Sequence, residues 1–532
     1  MTEESWNTFK ATVPVPESSS GVGVWPLDEH NVKLLDNVCP KGWQNPHRPD
    51  DFVYDLVAIG AGAGGLVSAK QSARRGAKSA LIERHLAGGD CLNIGCVPSK
   101  ALLRCSRAVA ESKRMDFGLP SLDEAARGVS FAKVMERMRR LRAQIAPVDS
   151  FEATNKAGAD MYFGDAVFTG RNEIEVAGQK LKFRKAVIAT GAHAMVPPIP
   201  GLKDVPYKTN AELFNLESLP PRMVVLGAGP IGCEMAQAFA RFGSKVVLLD
   251  LATQPMPAED VEAASVIKSA LEEDGVRFVL GAKTSKVEHL LGDGGSDWPR
   301  IVLDVSVDDA EEKIECDVLL VATGRTPNVH GLGLEAADVK HDGRGIIIDD
   351  CLQTSNPDIL SVGDCCNRPE LRFTHMSGTM AGMAVQNALF SEHKSLPVNA
   401  PSGKLSDIVV PRCTYTEPEV ASAGLNAASA QKAGVEVDLY KFDLDDNDRC
   451  ILEGSYPGCF AKVFCRKGTE EIVGGVVVAE RAGEVLSELV LAMQHGIGLS
   501  KLGRTVHAYP SMGEAIQQCG LQYNRSKWQR LN

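Results

Sequence analysis

Short β-branched and aliphatic runs recur along the chain, each broken by glycine and followed by apolar residues at helical spacing, the alternation that builds parallel sheets. From Tyr54 the chain reads Asp-Leu-Val-Ala-Ile-Gly and then carries helical periodicity from Leu66 to Arg75. The same strand, glycine turn and helix return from Met223 to Gly243, so one plan occurs twice, 167 positions apart from Gly60 to Gly227. Apolar runs at Ala186 to Thr190 and Val318 to Thr323 predict strands that complete two parallel sheets. Beyond about residue 405 the pattern changes to hairpin-like strands, Ala461 to Cys465 and Ile472 to Ala479, before a helix from Gly483 to His495. Residues 1–50 are rich in Pro, Ser, Asn and charge, and they predict an irregular extension packed on the body through Trp25 and Trp43.

The chain therefore predicts an α/β protein: two Rossmann-like, three-layer dinucleotide-binding domains and a C-terminal α+β domain. At 532 residues it is too long for one core. The expected divisions are 1–50, 51–205, 206–330, 331–400 and 401–532, with 331–400 returning to the first nucleotide-binding domain. A net charge of -11 repels phosphate backbones and anionic lipid, which argues against nucleic acid and membrane partners. No apolar run approaches the roughly 18 residues of a membrane span. The N-terminus lacks the apolar core of a secretory signal, and its first Arg is Arg48 while Glu3, Glu4 and Glu17 come early, so a cytoplasmic location is expected. Most of the 14 cysteines stand singly in apolar segments, which is not a secreted disulfide framework. Cys91 and Cys96 are the exception.

Gly60, Gly62 and Gly65 fit G-x-G-x-x-G directly after a strand. The first makes the turn, the second lets backbone approach a pyrophosphate, the third lets helix and strand pack, and the helix N-terminus supplies positive dipole. Glu83 follows 18 residues after Gly65, where a carboxylate can accept from ribose hydroxyls. Gly227, Gly229 and Gly232 repeat the motif, and Asp250 follows at the same interval. Asp250 would repel a 2′-phosphate, and no Arg stands between it and Arg277 to welcome one, so NADH is expected over NADPH. The C-x4-C pair Cys91/Cys96, read as lying on one helical segment, is within bridging reach and open to reduction and reoxidation. Zinc would need two further ligands, which this segment does not offer, so no metal site is expected.

With these motifs in place the chain resembles the pyridine nucleotide-disulfide oxidoreductases, the family of lipoamide dehydrogenase, glutathione reductase and mercuric reductase. The resemblance covers about residues 52–525 and includes Ala189-Thr190-Gly191, Ala322-Thr323-Gly324-Arg325, Ser361-Val-Gly363-Asp364 and Pro411-Arg-Cys-Thr-Tyr-Thr-Glu417-Pro418-Glu419. It implies FAD on the first nucleotide-binding domain, a nicotinamide dinucleotide on the second, and a C-terminal domain that forms a homodimer. It further implies that Cys96 is the thiolate against the flavin, Cys91 the exchanging thiol, and Lys100 with Glu234 an ion pair beside the flavin. Asp364 would hold the ribityl chain, Ala166 would touch the adenosine end, and Thr190, Gly191 and Gly324 would line the cofactor sites. Such an enzyme passes electrons from the dinucleotide through FAD to the cysteine pair.

The chain departs from the family's pattern near its end. Many members carry His-Pro there, with a Glu five residues after the His; registering Pro510 and Glu514 on that motif places Tyr509 at the histidine's position. Tyr, with a reference pKa of about 10, shuttles protons poorly at neutral pH, which argues against ordinary disulfide reduction. The arrangement resembles the mercuric reductase branch, and soft thiolates suit a soft metal ion. There is no N-terminal module with its own C-x-x-C and no vicinal cysteine pair at the C-terminus. His507 reads as a structural residue, and Cys365 and Cys366 as small buried ones. The expected acceptor is a soft electrophile such as Hg(II). The alternatives are a small disulfide, a quinone, or, for a chain without turnover, a flavin-binding subunit.

Overall fold

The computed structural model describes residues 23–114, 128–290, 298–308, 310–390 and 403–529. The segment expected to be irregular contains a helix, α1 (Glu29–Val38). Asp28 starts it as an N-cap by accepting from the Asn31 amide, and Asn31, Leu34 and Val38 turn one face inward. A polar Asn at the head of that buried face breaks the apolar stripe on which sequence reading depends. Trp43 does pack on the body, edge-on to Phe151 with its indole nitrogen 3.1 Å from Met161 O.

The first sheet begins with β1 (Val53–Ile59), α2 (Ala63–Arg74) and β2 (Ser79–Glu83), the strands pairing in parallel. All five positions of β2 are buried, as expected of a parallel strand covered on both faces. Three helices then leave the sheet: α3 (Gly89–Ile94), α4 (Cys96–Arg114) and α5 (Phe131–Ile145). The chain returns through β3 (Ala159–Phe163), β4 (Ala166–Gly170), β5 (Glu173–Val176) and β6 (Gln179–Ile188), giving the order β3-β2-β1-β6-β5-β4.

The second sheet holds β7 (Arg222–Leu226), β8 (Lys245–Asp250), β9 (Val276–Leu280) and β10 (Val318–Val321) in the order β9-β8-β7-β10, all parallel. Its glycine turn opens α6 (Pro230–Phe242). After this sheet the chain goes back to the first one, where β11 (Ile359–Ser361) pairs with β6 and leads to α7 (Thr374–Phe390). The C-terminal part is a five-stranded antiparallel sheet built from β12 (Pro411–Thr414), β13 (Glu419–Gly424), β14 (Val437–Asp443), β15 (Phe460–Arg466) and β16 (Ile472–Ala479). Helices α8 (Ala482–Gln494) and α9 (Glu514–Gln529) follow it. Leu102 of α4 and Met135 of α5 share one buried cluster with Phe239 of α6 and Phe460 of β15. The helix that begins with Cys96 packs on α5 and on α6 of the second nucleotide domain, and its Arg107 reaches Glu417 in the C-terminal part of the chain. Among the described residues no helix is long and apolar enough to cross a membrane.

Candidate active site

Cys91 and Cys96 do not share one helix. Gly95 breaks the segment with φ -132° and ψ -116°, a conformation in which a Cβ would lie 2.7 Å from Asp90 O, so Cys91 sits in α3 and Cys96 opens α4. No disulfide joins them here, and their side chains act on each other's acidity. Cys96 is lowered to about 6, first by the hydrogen bond from Cys91, with Thr374 and Lys100 helping against burial and Glu234. Cys91 is raised, first because its proton is held toward Cys96 and then by burial. Cys96 is the first residue of a 19-residue helix, where the dipole favours a thiolate. Its sulfur lies 3.3 Å from Thr374 Oγ1, and Thr374 opens α7, so two helix N-termini converge on it.

Lys100 stands one turn along α4 from Cys96 and reaches both oxygens of Glu234, at 3.0 and 2.9 Å. Glu234 is 4% exposed, so its charge needs the partners it has. The Tyr415 amide donates to Glu234 Oε1 at 2.9 Å, and Lys100 Nζ sits 4.4 Å from the centre of the Tyr415 ring. The loop between β12 and β13 thereby closes the pair from the C-terminal domain.

The two glycine turns are alike at atomic level. A Cβ on Gly65 would lie 1.8 Å from Gly60 O, and one on Gly232 would lie 1.9 Å from Gly227 O, so neither position tolerates a side chain. Gly60 and Gly227 adopt positive φ against the carbonyls of Ala189 and Ala322. Gly62 and Gly229 are different: the first has its nearest neighbour at 3.8 Å and the second has none within 4 Å. Packing does not require glycine there, so the open space over each helix N-terminus fits an approaching pyrophosphate. Glu83 accepts from the Ala61 and His85 amides, both at 2.7 Å. Asp250 likewise accepts from Ala228 and Ala252, at 2.6 and 2.8 Å. Each acid, expected only to meet ribose, also fixes its own turn, and its remaining lone pairs stay available.

Around the first turn, Asp364 lies in a short 3-10 turn before α7, with its Oδ2 3.3 Å from Arg325 Nε. Arg325 also pairs with Asp90, the neighbour of Cys91, and donates to Ala192 O at 2.6 Å. This Arg joins the redox segment to the Asp364 turn. Thr190 Oγ1 donates to Asn328 O at 2.7 Å, while Gly191 and Gly324 adopt φ values of 68° and 137° in the crossover segments. Ala166 begins β4 just after Gly164, whose amide donates to Glu83 O at 2.9 Å. Cys365 and Cys366 are fully buried, as expected.

Tyr509 and Glu514 lie apart from this cluster. Tyr509 is 72% exposed and its hydroxyl donates to Asp448, while Glu514 accepts from the Ser511 amide at 3.0 Å. His507 is engaged at both ring nitrogens, with Nε2 2.9 Å from Glu488 and Nδ1 3.0 Å from Thr505 O. Sequence reasoning missed Thr374, Tyr415 and the Asp90–Arg325 bridge. Of these only Thr374, standing just before an apolar helix, carried a local signal.

Residues 54–384 match the family described as pyridine nucleotide-disulphide oxidoreductase, and residues 410–519 match the dimerisation domain of that family. The chain is 33% identical over 528 residues to a mercuric reductase of Lysinibacillus sphaericus, covering 99% of this chain and 93% of the relative. It is 34% identical over 473 residues to a dihydrolipoyl dehydrogenase of Thermus scotoductus, covering 87% and 96%. Among solved structures it resembles the HOCl-induced flavoprotein disulfide reductase RclA from Escherichia coli, with a TM-score of 0.74 at 26% identity, covering 87% of this chain and 98% of that one. Sequence, fold and the cysteine pair at the junction of α3 and α4 agree, and the chain belongs to the pyridine nucleotide-disulphide oxidoreductases, as a flavoprotein disulfide oxidoreductase of the mercuric reductase and lipoamide dehydrogenase group.

Proposed function

We propose that this chain oxidises NADH and delivers the electron pair through Cys91 and Cys96 to a soft electrophile, in the manner of the mercuric reductases it resembles. The observation that carries the reading is the placing of Cys91 and Cys96 on either side of the junction between α3 and α4, with the Cys96 sulfur 3.3 Å from Thr374 Oγ1 and one turn from the Lys100–Glu234 pair, where Cys96 is lowered and Cys91 raised. FAD would be held by Gly62 and the N-terminus of α2, with Asp364 and Ala166 as further binding residues, and would supply redox chemistry between nicotinamide and sulfur. Cys96 keeps the thiolate, favoured by its helix terminus, Thr374 and Lys100. Cys91 meets the acceptor. Lys100, held by Glu234 and Tyr415, fixes a positive charge one turn from the sulfur.

The second dinucleotide turn supports NADH as donor. Asp250 stands as a fixed carboxylate at the ribose position, and Arg277, the nearest following Arg, is occupied by Glu312 at 2.7 and 2.6 Å. A 2′-phosphate would meet repulsion without a cation to receive it. The C-terminal domain would pair two copies, bringing Tyr509 and Glu514 of one subunit to the cysteines of the other.

The choice of acceptor rests on the tail. A leaving thiolate needs a proton donor near neutrality, and the tail segment offers Tyr509 together with a His507 whose two nitrogens are already engaged. A small disulfide is the second reading, favoured by the comparable identity to a dihydrolipoyl dehydrogenase. Steady-state assays of NADH and NADPH against Hg(II), lipoamide, glutathione disulfide and a quinone test the reading. The expected result is turnover with NADH and Hg(II) that Cys91→Ser abolishes. Turnover confined to disulfides would favour the second reading, quinone turnover surviving Cys91→Ser would place reduction at the flavin, and no oxidation of NADH with any acceptor would leave a flavin-binding subunit.

A further inference from the structure

Arg142 of α5 is 1% exposed, and its guanidinium joins two segments remote in sequence. Nη1 donates to Asn93 O at 2.6 Å, between the two redox cysteines, and Nη2 donates to Asn31 Oδ1 of α1 at 2.7 Å. Asn31 is itself fully buried, with its Nδ2 2.7 Å from Pro26 O. One turn back along α5, Arg139 pairs with Asp28, the N-cap of α1, at 2.5 Å. At the other end of α1, Val38 O accepts from the Ala87 amide at 2.9 Å. Ala87 O in turn accepts from Asn93 Nδ2 at 2.9 Å. These bonds close a ring that runs from α1 through Arg142 and Asn93 to Ala87 and back to α1.

The helix that carries Cys91 is part of the ring through Asn93. At six residues, α3 is far too short to hold its shape unaided. Its conformation must come from outside, and Asn93 is held through its side-chain nitrogen, which donates to Ala87 O and Gly89 O at 2.9 Å, and through its backbone carbonyl, which accepts from Arg142. Arg142 makes no contact with a carboxylate among its hydrogen bonds, so a buried cation depends on two neutral acceptors. Removing one acceptor leaves that cation under-satisfied and free to turn toward another, away from Asn93.

We propose that residues 23–38 are a working part of the redox centre, in which Asn31 and Arg142 are positioning residues that fix α3 and so set the contact between the Cys91 and Cys96 thiols. This segment precedes the family match, which begins at residue 54. The inference rests on the reading that Cys91 and Cys96 are the exchanging pair.

The test uses the full-length, flavin-loaded protein with Asn31→Leu, reduced by NADH and alkylated with iodoacetamide across pH, the adducts being located by mass spectrometry. Cys96 is faced by Cys91, Lys100, Glu234 and Thr374, none of which the substitution changes. The alkylation profile of Cys96 should move to higher pH and kcat should fall about fivefold, the size expected for one buried hydrogen bond, with the KM for NADH unchanged. Asp28→Ala, at a partly exposed cap, should move both in the same direction by less, and serves where Asn31→Leu does not fold. Arg48→Ala, which breaks an ion pair with Asp160 of β3, should lower thermal stability and leave the profile where it was. An unmoved profile and unmoved kcat in both Asn31→Leu and Asp28→Ala overturn the inference, even if both variants melt earlier. Turnover that survives Cys91→Ser overturns the underlying reading, and the two failures are therefore distinguishable.

Discussion

Lys100 Nζ bridges both carboxylate oxygens of Glu234, at 3.0 and 2.9 Å, from a position one helical turn beyond Cys96. The two charges act on the Cys96 sulfur with opposite signs, the cation lowering its acidity constant and the carboxylate raising it. Lys100→Met should therefore move the pH profile of Cys96 alkylation upward from about 6, whereas Glu234→Gln should move it downward. Both should lower the melting temperature, because each leaves a partner without its counter-ion. Shifts of the same sign in the two variants would show that the pair does not act on the sulfur through its charges.

The lowered acidity of Cys96 links the stability of the reduced protein to pH. Its folded value of about 6 lies below that of a free thiol, about 8.5, so its contribution is fully present above the unfolded value and lost as pH falls through the folded one. The melting temperature of the reduced protein should fall between about pH 8.5 and pH 6 more steeply than that of Cys96→Ser. Thr374→Val removes the hydroxyl 3.3 Å from the sulfur and should raise the alkylation profile by about one pH unit, the worth of a hydrogen bond to a charged group.

Two glycines of one motif should respond differently to the same substitution. Gly65→Ala forces a Cβ to 1.8 Å from Gly60 O and should prevent a stable fold. Gly62→Ala meets nothing closer than 3.8 Å and should fold, while losing flavin because the new methyl occupies the cradle. Circular dichroism and visible absorbance separate the outcomes. A yellow Gly62→Ala protein with normal flavin content would falsify the placement of the pyrophosphate.

Much of this architecture was legible because a chemical need wrote it into adjacent residues. The glycine turns, the acids 18 residues on, and the spacing from Cys96 to Lys100 are local patterns. What escaped is made by residues distant in sequence. Tyr415 reaches Glu234 from a loop 181 positions away, and Arg325 meets Asp90 across 235 positions. The break at Gly95 was hidden because helix continues on both sides of it, and what forbids a side chain there is the close approach of the backbone of Asp90 and Cys91. Helix α1 was hidden because Asn31 is buried by its bonds to Arg142 and Pro26 rather than by apolar character.

Asp250 should decide the choice of dinucleotide. Asp250→Asn keeps an acceptor for the Ala228 amide, 2.6 Å away, while removing the charge that opposes a 2′-phosphate. The ratio of kcat/KM for NADH over NADPH should fall by about tenfold, corresponding to about 1.4 kcal/mol of repulsion relieved. An unchanged ratio, with the variant stable and flavin-loaded, would mean that the 2′ position is read by another group.

Tyr509 tests the acceptor itself. Its hydroxyl, hydrogen-bonded to Asp448, is held above its ordinary acidity constant, so at neutral pH it has little tendency to yield a proton to a leaving thiolate. His507 offers no free ring nitrogen, since a carbonyl and a carboxylate engage both. Tyr509→His would place a group titrating near neutrality four residues after Thr505 and five before Glu514, restoring the spacing of a His–Glu dyad. Turnover with lipoamide or glutathione disulfide should then rise by about 100-fold, the contribution of a positioned acid. Turnover with Hg(II), whose two-electron reduction to Hg(0) takes up no proton at the metal, should not rise. His507→Gln should leave disulfide turnover in the Tyr509→His background unchanged, because a structural histidine adds nothing to proton transfer. Equal gains on Hg(II) and on disulfides would mean that position 509 controls access to the cysteines rather than the fate of a proton.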